Sequence, residues 1–365
     1  MKRRTFDPTM FNGARILVAP LDWGLGHSTR CIPIIQRLLE LDAVPVIGAD
    51  RGPLAVLTGE FPHLEHVQLP GVNIRYGKGR NQLWSMARQF PAMLRSVQAE
   101  RALFDRIRRD LRLDAVISDQ RFGIRSSDLP SVIVTHQVFP FTPIAQAALR
   151  KVNLHQIARF DRCWIMDEPD APGLAGDLSH GKTLPANARY IGTVSRMRPD
   201  GPRTERSFRV VAVISGPEPQ RTLLEQLLTD QLQRLTGEHL LVQGLPANSG
   251  TEQLGNVTKV PHMNASELAA QLAASEFIVS RSGYTTLMDL VALDRTALVI
   301  PTPGQAEQEY LGELHARTGR FTVQRQHKMD LAAGLKHLDK GLVARPHHGH
   351  PLLEDALRDL ASLLR

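Results

Sequence analysis

Short apolar runs alternate with helical patterns along the whole chain. Arg15–Pro20 and Phe208–Ile214 are runs dominated by Val, Ile, Leu and Ala, which is typical of strands buried on both faces of a parallel sheet. Each run is followed by a stretch in which apolar residues recur every three or four positions, as on one face of a helix. The alternation predicts an α/β fold built from strand–helix–strand units.

One polar segment interrupts this alternation. Residues 196–207 contain Pro199, Gly201 and Pro202 and show no apolar periodicity, so we predict a linker there. It separates an N-terminal domain, residues 1–195, from a C-terminal domain, residues 208–365, and each domain repeats the doubly wound pattern. A ligand is expected between the domains. We expect the terminal helix, Leu352–Leu364, to be able to pack back on the N-terminal domain.

Two neighbouring strand-to-helix loops in the second half are candidates for ligand binding. One strand ends at Ser280 and a helical pattern opens after Gly283, while a second strand, Ala297–Ile300, leads through Pro301–Gly304 to another helix. Free N–H groups at a helix start suit a phosphate. Asp289, in the first of these helices, could accept two hydrogen bonds from a ribose diol. The alternative is an ordinary pair of strand-to-helix turns.

A glycine-rich segment also follows the first strand. Gly24-Leu25-Gly26-His27 is half of a dinucleotide fingerprint, but Thr29 stands where the third glycine belongs, and the nearest acidic residue after a second strand is Asp50. A helical pattern is predicted only beyond this loop. The segment therefore indicates a ligand-binding loop and does not favour a dehydrogenase.

Positive charge is concentrated in one part of the chain. The formal net charge is +7, and the segment Arg75–Arg125 alone has 12 Lys or Arg and 5 Asp or Glu. A local basic face suggests an anionic acceptor, an anionic membrane surface or nucleic acid. The apolar positions Leu83–Met93, within the first part of this segment, could dock on a membrane. The alternative is a core-packing helix with a solvated basic face.

The cysteine content and the terminus indicate a cytoplasmic protein. Cys31 and Cys163 form neither a disulfide framework nor a metal-ligand spacing, so a reducing compartment is expected. The basic N-terminus lacks the apolar core of a signal peptide. No apolar run reaches the roughly 18 residues of a membrane span.

The two loops together carry a family resemblance. The loop Gly24–Arg30 and the segment Ser280–Gln308 resemble, in order and spacing, the GT-B glycosyltransferases of family 28. The resemblance covers both domains and is more specific in the C-terminal one. It implies an α/β GT-B fold, in which two Rossmann-like doubly wound domains face a central cleft that holds a nucleotide sugar.

The resemblance also implies an activity. A bacterial enzyme of this kind is a hexosyltransferase that moves a sugar from a nucleotide diphosphate sugar, UDP-linked by family habit, to an acceptor with inversion. No metal or other cofactor is expected, which agrees with the absence of any Asp-x-Asp triplet. The acceptor is not identified, although a lipid-linked or anionic one would suit the basic segment and a peripheral contact with the inner membrane face. No nucleic-acid partner is expected.

Individual positions inherit roles by the same resemblance. Nucleotide-sugar contacts are implied at Gly24, Gly26, Ser215, Gly216, His262, Met263, Arg281, Ser282, Gly283, Thr286, Asp289, Gln305, Gln308 and Glu309. Asp289 stands where the family usually has a glutamate on the ribose hydroxyls, which shortens its reach by one methylene. Gln308 and Glu309 stand where the family often has two glutamines near the sugar, so Glu309 adds a negative charge there.

Three residues are predicted to carry the chemistry. His27 is the candidate general base for an acceptor hydroxyl, because the unperturbed pKa of histidine lies near neutrality. Asp119 and His136 each follow a strand of the first domain, where they could orient His27 or the acceptor, or simply cap the strand ends. Helix-start N–H groups and Arg281 are expected to stabilise the leaving nucleoside diphosphate.

Other functions remain open at this point. A nucleotide-sugar hydrolase of the same fold carries a Gly-x-Gly-His-x-x-Arg-Cys loop, which Gly24–Cys31 matches, and His27 would then activate water. A nucleotide-sugar epimerase is disfavoured, because its charged catalytic residues are not placed here. A basic nucleic-acid-binding protein would rest on the charge of Arg75–Arg125 alone.

Overall fold

The computed structural model describes residues 7, 9–22, 24–70, 97–141, 146–197, 208–338 and 349–364. The N-terminal domain is a parallel sheet in the order β3-β2-β1-β4-β5-β6-β7 within these residues. The strands are β1 Arg15–Pro20, β2 Val44–Ala49, β3 His66–Gln68, β4 Ala115–Asp119, β5 Ser131–Thr135, β6 Arg162–Ile165 and β7 Ala188–Tyr190. The helices are α1 Leu25–Glu40, α2 Arg51–Glu60, α3 over residues 97–110, and α4 Gln146–Ile157.

The C-terminal domain repeats this architecture. Its sheet has the order β10-β11-β9-β8-β12-β13-β14, with β10 antiparallel to β11 and the other pairs parallel. The strands are β8 Val210–Val213, β9 His239–Val242, β10 Glu252–Leu254, β11 Val257–Val260, β12 Phe277–Ser280, β13 Leu298–Val299 and β14 Thr322–Val323. The helices are α5 Gln220–Leu232, α6 Ala265–Ala274, α7 Tyr284–Ala292, α8 Ala306–Arg317, α9 Leu331–Leu338 and α10 Gly349–Leu363.

The strand order reverses once in each sheet. In the first sheet β1 lies between β2 and β4, and in the second β8 lies between β9 and β12. Ligands of open α/β sheets bind at such reversals, outside the carboxyl ends of the strands. The residues that follow β1, β4, β8 and β12 are therefore the ones that the topology assigns to a site.

The first helix begins earlier than its pattern predicts. Helix α1 starts at Leu25, so Gly26 and His27 belong to its first turn and not to a loop. Gly24 precedes the helix with φ 120°, a conformation that residues with a Cβ rarely adopt. The prediction failed because Gly26 and the interior Pro33 both disfavour a helix, and tertiary packing overrides that preference here.

The terminal helix lies against the N-terminal domain. Asp359 pairs with Arg162 at 2.5 Å and with Arg189 at 3.3 Å, and Glu354 pairs with Arg37 of α1. The buried apolar side chains of α10 join a cluster that contains core residues of both domains: Leu353, Ala356, Leu357, Leu360 and Ala361. The chain therefore crosses back after completing the second sheet.

Parts of the predicted features lie outside the described residues. These are residues 198–207 of the predicted linker and residues 71–96, which include the first part of the basic segment and its apolar positions Leu83–Met93. In the described part of the chain, no helix has both the length and the hydrophobicity that crossing a bilayer requires.

Candidate functional site

The two domains meet at the carboxyl edges of their sheets. Thr285 Oγ1 donates a hydrogen bond to the Gly26 carbonyl oxygen at 3.0 Å, which joins α7 to α1. A Cβ on Gly26 would stand 3.1 Å from that same hydroxyl oxygen, so glycine permits the close approach. Tyr284 is buried and donates to the carbonyl oxygen of Met166 in the N-terminal domain. The cleft is closed in this structure.

His27 lies against a buried carboxylate. Its Nδ1 is 2.9 Å from Asp119 Oδ2, and Asp119 is fully buried at the end of β4. Arg30 Nη2 lies 2.8 Å from the same Nδ1. The carboxylate accepts from Nδ1 in the tautomer protonated there, and the guanidinium donates to Nδ1 in the tautomer protonated at Nε2. In the tautomer protonated at Nδ1, which pairs with Asp119, Nε2 is unprotonated and able to accept a proton. The side chain of His27 keeps 16% exposure.

Arg30 holds this pair together from the next turn of α1. Its Nε donates to Asp119 Oδ2 at 2.8 Å, and its Nη2 donates to Asp119 Oδ1. Burial raises the pKa of Asp119, but Arg30 and His27 outweigh it and bring the pKa to about 2. Burial also lowers the pKa of His27, and Arg30 adds to this, while Asp119 opposes both. These effects together lower the pKa of His27, which favours its neutral form.

A second histidine extends the network across the domain boundary. Arg30 Nη1 lies 2.9 Å from His136 Nδ1, and His136 Nε2 lies 2.9 Å from Glu307 Oε1 on α8. Gln137 Nε2 also donates to Glu307 Oε2. The His136 ring stacks on Tyr284 of α7, with ring centroids 4.2 Å apart and planes 7° from parallel. One polar network thus runs from the first helix of one domain into the other domain.

A cavity of about 100 Å³ lies beside this network. It is lined from both domains by Leu25, Gly26, Thr29, Arg196, Met197, Val213, Ile214, Ser215, Val242, Gly244, His262, Met263, Leu268, Leu272, Ile278, Ser280, Thr285, Thr286, Asp289 and Leu290. Ligand pockets usually measure about 300–1,000 Å³. A nucleotide would therefore require the cleft to widen from the closed arrangement.

Asp289 is held inside this cavity by the segment that leaves the N-terminal domain. Ser195 Oγ donates to Asp289 Oδ1 at 2.6 Å, and Arg196 Nε stands 3.9 Å from Asp289 Oδ2. Burial raises the pKa of Asp289, and Arg196 and Ser195 oppose that rise. The carboxylate that was predicted to bind a ribose is thus in the cavity, with a serine hydroxyl on one of its oxygens.

The predicted role of the Arg281 side chain needs correction. Its guanidinium is buried and donates to the carbonyl oxygens of Gln220 at 2.7 Å, Ile300 at 3.3 Å and Pro301 at 3.4 Å, and to Gln326 Oε1 at 2.8 Å. Burial lowers its pKa to about 10. The side chain does not line the cavity, because these acceptors hold it inside the domain. Arg281 fastens three loops together.

Of four other predicted contact residues, three have side chains that bind neighbouring protein groups. Ser282 Oγ donates to the Gln308 carbonyl oxygen, and Gln308 Oε1 accepts from the Thr302 N–H and hydroxyl, both at 2.9 Å. Glu309 is exposed and accepts from the Gly304 N–H. Gln305 is the N-cap of α8, and its Oε1 is buried without a hydrogen-bond partner in the described residues. These side chains shape the loop before α8.

The start of α7 is free of a side-chain cap. Gly283 is the N-cap of the helix and makes no side-chain cap hydrogen bond, because it has no side chain. Thr285 and Thr286 in the first turn line the cavity. After the neighbouring strand β8, Ser215 also lines the cavity, and Gly216 follows with φ 115°. In the described residues, no group of three or more His, Cys, Asp or Glu could hold a metal ion.

Sequence reasoning missed two members of the network. Arg30 was read only as part of the glycine-rich motif, although its position three residues after His27 places both on one face of a helix. Glu307 was passed over for Gln308 and Glu309. Helix α8 starts at Ala306, so Glu307 lies in its first turn. Which of residues 307–309 reaches the N-terminal domain depends on the direction of this helix, which the sequence does not show.

Comparison with known proteins matches the C-terminal domain to one family. Residues 210–339 match the glycosyltransferase family 28 C-terminal domain. The UDP-N-acetylglucosamine–N-acetylmuramyl-(pentapeptide) pyrophosphoryl-undecaprenol N-acetylglucosamine transferase of Methylorubrum populi is 31% identical over 93 residues, 24% of each chain. The matches span at most 24% of the length of such curated relatives.

Solved structures resemble the chain over nearly its whole length. The glycotransferase of kitacinnamycin has a TM-score of 0.60 at 15% identity and covers 97% of this chain and 95% of its own. The spinosyn rhamnosyltransferase SpnG complexed with thymidine diphosphate has a TM-score of 0.59 at 16% identity and 96% coverage of both chains. These likenesses confirm the predicted two-domain fold, and the family match confirms the predicted resemblance.

Proposed function

This chain is a GT-B protein with a glycosyltransferase family 28 C-terminal domain, and from that premise we propose that it transfers a sugar from a nucleotide diphosphate sugar to an acceptor hydroxyl. The observation that carries the proposal is the contact between His27 and Asp119 next to a cavity that both domains line. A base, the carboxylate that orients it, and a cleft for a donor are thus found together. Neither the hydrolase nor the nucleic-acid alternative gains support from the comparisons.

The donor fits the C-terminal side of the cleft. We assign its diphosphate to the free N–H groups at the start of α7 and to the Ser215-Gly216 turn. The ribose hydroxyls would replace Ser195 on Asp289, which opens the closed cavity. His262 and Met263 line the part of the cavity assigned to the base. UDP is our first choice of nucleotide because of the named relative, and SpnG makes dTDP the second.

The reaction is then a single displacement. The acceptor oxygen forms a bond to the anomeric carbon, and the bond from that carbon to the diphosphate oxygen breaks. The acceptor proton passes to His27 Nε2, and Asp119 stabilises the resulting imidazolium. The charge on the departing nucleoside diphosphate is met by N–H groups at the start of α7. We therefore propose metal-independent transfer with inversion.

The acceptor is proposed to be lipid-linked. The name of the Methylorubrum populi relative contains a pyrophosphoryl-undecaprenol acceptor. Exposed arginines of α3, such as Arg106 and Arg109, continue the basic segment into the described residues. Such a surface suits an anionic leaflet. A cytoplasmic protein that touches the inner membrane face would meet this acceptor.

Nucleotide binding is tested first, by thermal shift with UDP, dTDP, GDP, CMP and NAD. A ligand of the folded state raises the melting temperature by mass action, and we expect UDP or dTDP to do so and NAD not to. Asp289→Asn should abolish the shift, whereas Asp294→Asn, an exposed position just beyond α7, should retain it. A protein that responds to none of these nucleotides would overturn the donor assignment.

Transfer is tested next with the matching nucleotide sugar. We expect His27→Ala to lose turnover while the nucleotide shift persists, and His155→Ala, exposed on α4, to retain both. Release of free sugar at an equal rate with and without acceptors would contradict transfer and favour hydrolysis.

A further inference from the structure

The carboxylate of Glu307 reaches the catalytic network from the other domain. Glu307 lies in the first turn of α8, and its side chain is 23% exposed. Its two oxygens contact His136 and Gln137, which follow β5 in the N-terminal domain. These contacts exist only while the two sheets face each other as they do here. The C-terminal domain therefore places a negative charge at the far end of the network that begins at His27.

The hydrogen-bond partners of His136 indicate which of its ring nitrogens carries the proton. Because a guanidinium only donates, the contact with Arg30 Nη1 makes His136 Nδ1 an acceptor. A neutral His136 then carries its proton on Nε2, from which it donates to the Glu307 carboxylate at 2.9 Å. Burial raises the pKa of Glu307, but His136, Arg30 and His27 outweigh it and hold the pKa below its ordinary value. Glu307 is therefore ionised.

The charges of the network do not cancel in the resting state. With both histidines neutral, Arg30 is positive and Asp119 and Glu307 are negative, so one negative charge is in excess. The cluster becomes neutral when His27 is protonated, which is the state it enters on taking the acceptor proton. Without the Glu307 charge, the charges of Asp119 and Arg30 would cancel in the resting state. Protonation of His27 would then create an uncompensated buried positive charge, which costs free energy.

We propose that Glu307 is a positioning residue for His27: from the C-terminal domain it supplies the negative charge that stabilises protonated His27 while the domains are closed. The inference rests on the proposed role of His27 as the base. Domain closure brings α8 to His136. It would therefore strengthen His27 as a base at the same time as it forms the donor site. An open molecule would have a weaker base and would be less prone to activate water.

The other groups around His27 do not supply this charge. Within the described residues, burial keeps the Cys31 thiol of α1 and the Tyr284 phenol of α7 neutral, since their pKa values are raised well above the ordinary ones. Arg30 and Asp119 form a paired ion bridge. Glu307 is thus the group whose charge can be removed without breaking that bridge.

The decisive experiment measures the pKa of His27 by NMR in the unliganded protein. Histidine ring carbons are labelled with ¹³C, the His27 signal is identified by its absence in His27→Ala, and the signal is followed over about pH 4 to 9. Glu307→Gln keeps the shape and removes the charge, so we expect the pKa of His27 to fall by about one pH unit. Glu307→Asp keeps the charge and should lower it by less than half as much.

Glu313→Gln is the matched control, because Glu313 is exposed on the same helix and outside the network. It should leave the His27 titration unchanged. An unchanged titration in Glu307→Gln, an equal fall in Glu307→Asp, or an equal fall in Glu313→Gln would overturn the proposal. The titration needs no turnover, so it decides the coupling even if no sugar is transferred.

Kinetics then separates an electrostatic role from a structural one. His27 must be neutral to act, so kcat/KM falls at low pH as it becomes protonated. A lower pKa moves this acid limb to lower pH, and the weaker base lowers the plateau severalfold. If Glu307→Gln lowers kcat/KM but leaves the acid limb of its pH profile at the same pH, Glu307 has a structural role alone.

Discussion

At the scale of single residues, Asp119 is the side chain on which the site depends most. It is fully buried and satisfied by Arg30 and His27. Removing one member of a buried ion pair leaves the other charge without compensation, which typically costs about 3–5 kcal/mol. We expect Asp119→Asn to lower the free energy of unfolding by about 3 kcal/mol at neutral pH, measured by urea denaturation. Asp110→Asn, exposed at the end of α3, should change it little.

The same residue predicts how stability depends on pH. The folded pKa of Asp119 is about 2, below its ordinary value of 3.8, so its ionisation favours the folded state. The contribution, about 2 kcal/mol, is fully present above the ordinary value and is lost as the pH falls through 2. The difference between wild type and Asp119→Asn should therefore narrow as acid is added. A constant difference down to about pH 2 would contradict this account.

The convergence of three predicted site residues could be expected from the sequence, while their roles stay predictions. Asp119 ends β4, and His27 and His136 come after β1 and β5. The carboxyl ends of these parallel strands lie at one edge of the sheet. The direction of a side chain is a different matter. Arg281 follows its strand just as they do, yet it points into the domain. The direction of the Arg281 side chain could not be predicted, because its acceptors are mostly backbone carbonyls, which every residue carries.

At the scale of elements, Arg281 explains how the loops of the C-terminal domain are kept in place. Its guanidinium joins the start of α5, the end of β13 and the turn before α9. We expect Arg281→Met to destabilise the protein by about 3 kcal/mol, because buried carbonyls lose their donor. The side chain lies outside the cavity, but nucleotide affinity should also fall. The loops before α5 and α7, which we assign to the diphosphate, lose the side chain that holds them in place.

A matched control lies at the other edge of the same sheet. Arg295 follows α7 and donates to the carbonyl oxygens of Ala273 and Ser275. Arg295→Met should also destabilise the protein but leave nucleotide affinity unchanged at temperatures where it remains folded. Equal losses of affinity in both variants, measured by calorimetric titration, would show that global stability and not the loop brace is responsible.

The predicted elements succeeded and failed for identifiable reasons. Most strands were predicted because their apolar runs are continuous, as burial of both sheet faces requires. The short edge strands β10 and β14 were not predicted, and β10 is exposed. The start of α1 was misplaced because Gly26 looks like a loop residue. Its lack of a side chain serves contact with Thr285, which lies 259 residues away in sequence. Local pattern cannot contain such information.

At the scale of the whole molecule, the domains are not separate hydrophobic bodies. The largest apolar cluster contains Ile16 and Ile35 from the first domain, Leu287 from the second, and Leu357 from α10. We therefore expect a single thermal transition by calorimetry. Leu357→Ala should lower the midpoint of this transition without splitting it in two. Truncation of a buried leucine typically costs about 2–5 kcal/mol.

Leu223→Ala serves as the control for this prediction, because Leu223 is 46% exposed. It should leave the transition close to that of the wild type. Two transitions in the wild type, of which Leu357→Ala shifts only one, would contradict the single cluster as a cooperative unit.

The position of α10 also has a consequence for synthesis. The helix that covers α1 and pairs with Arg162 and Arg189 is translated after the whole second sheet. When residue 195 has been synthesised, residues 196–365 are still to be made. At ordinary elongation rates of about 5–20 residues per second, their synthesis takes on the order of ten seconds. During that time the nascent N-terminal domain has every strand but not its last covering helix, and its bare apolar face is available to chaperones.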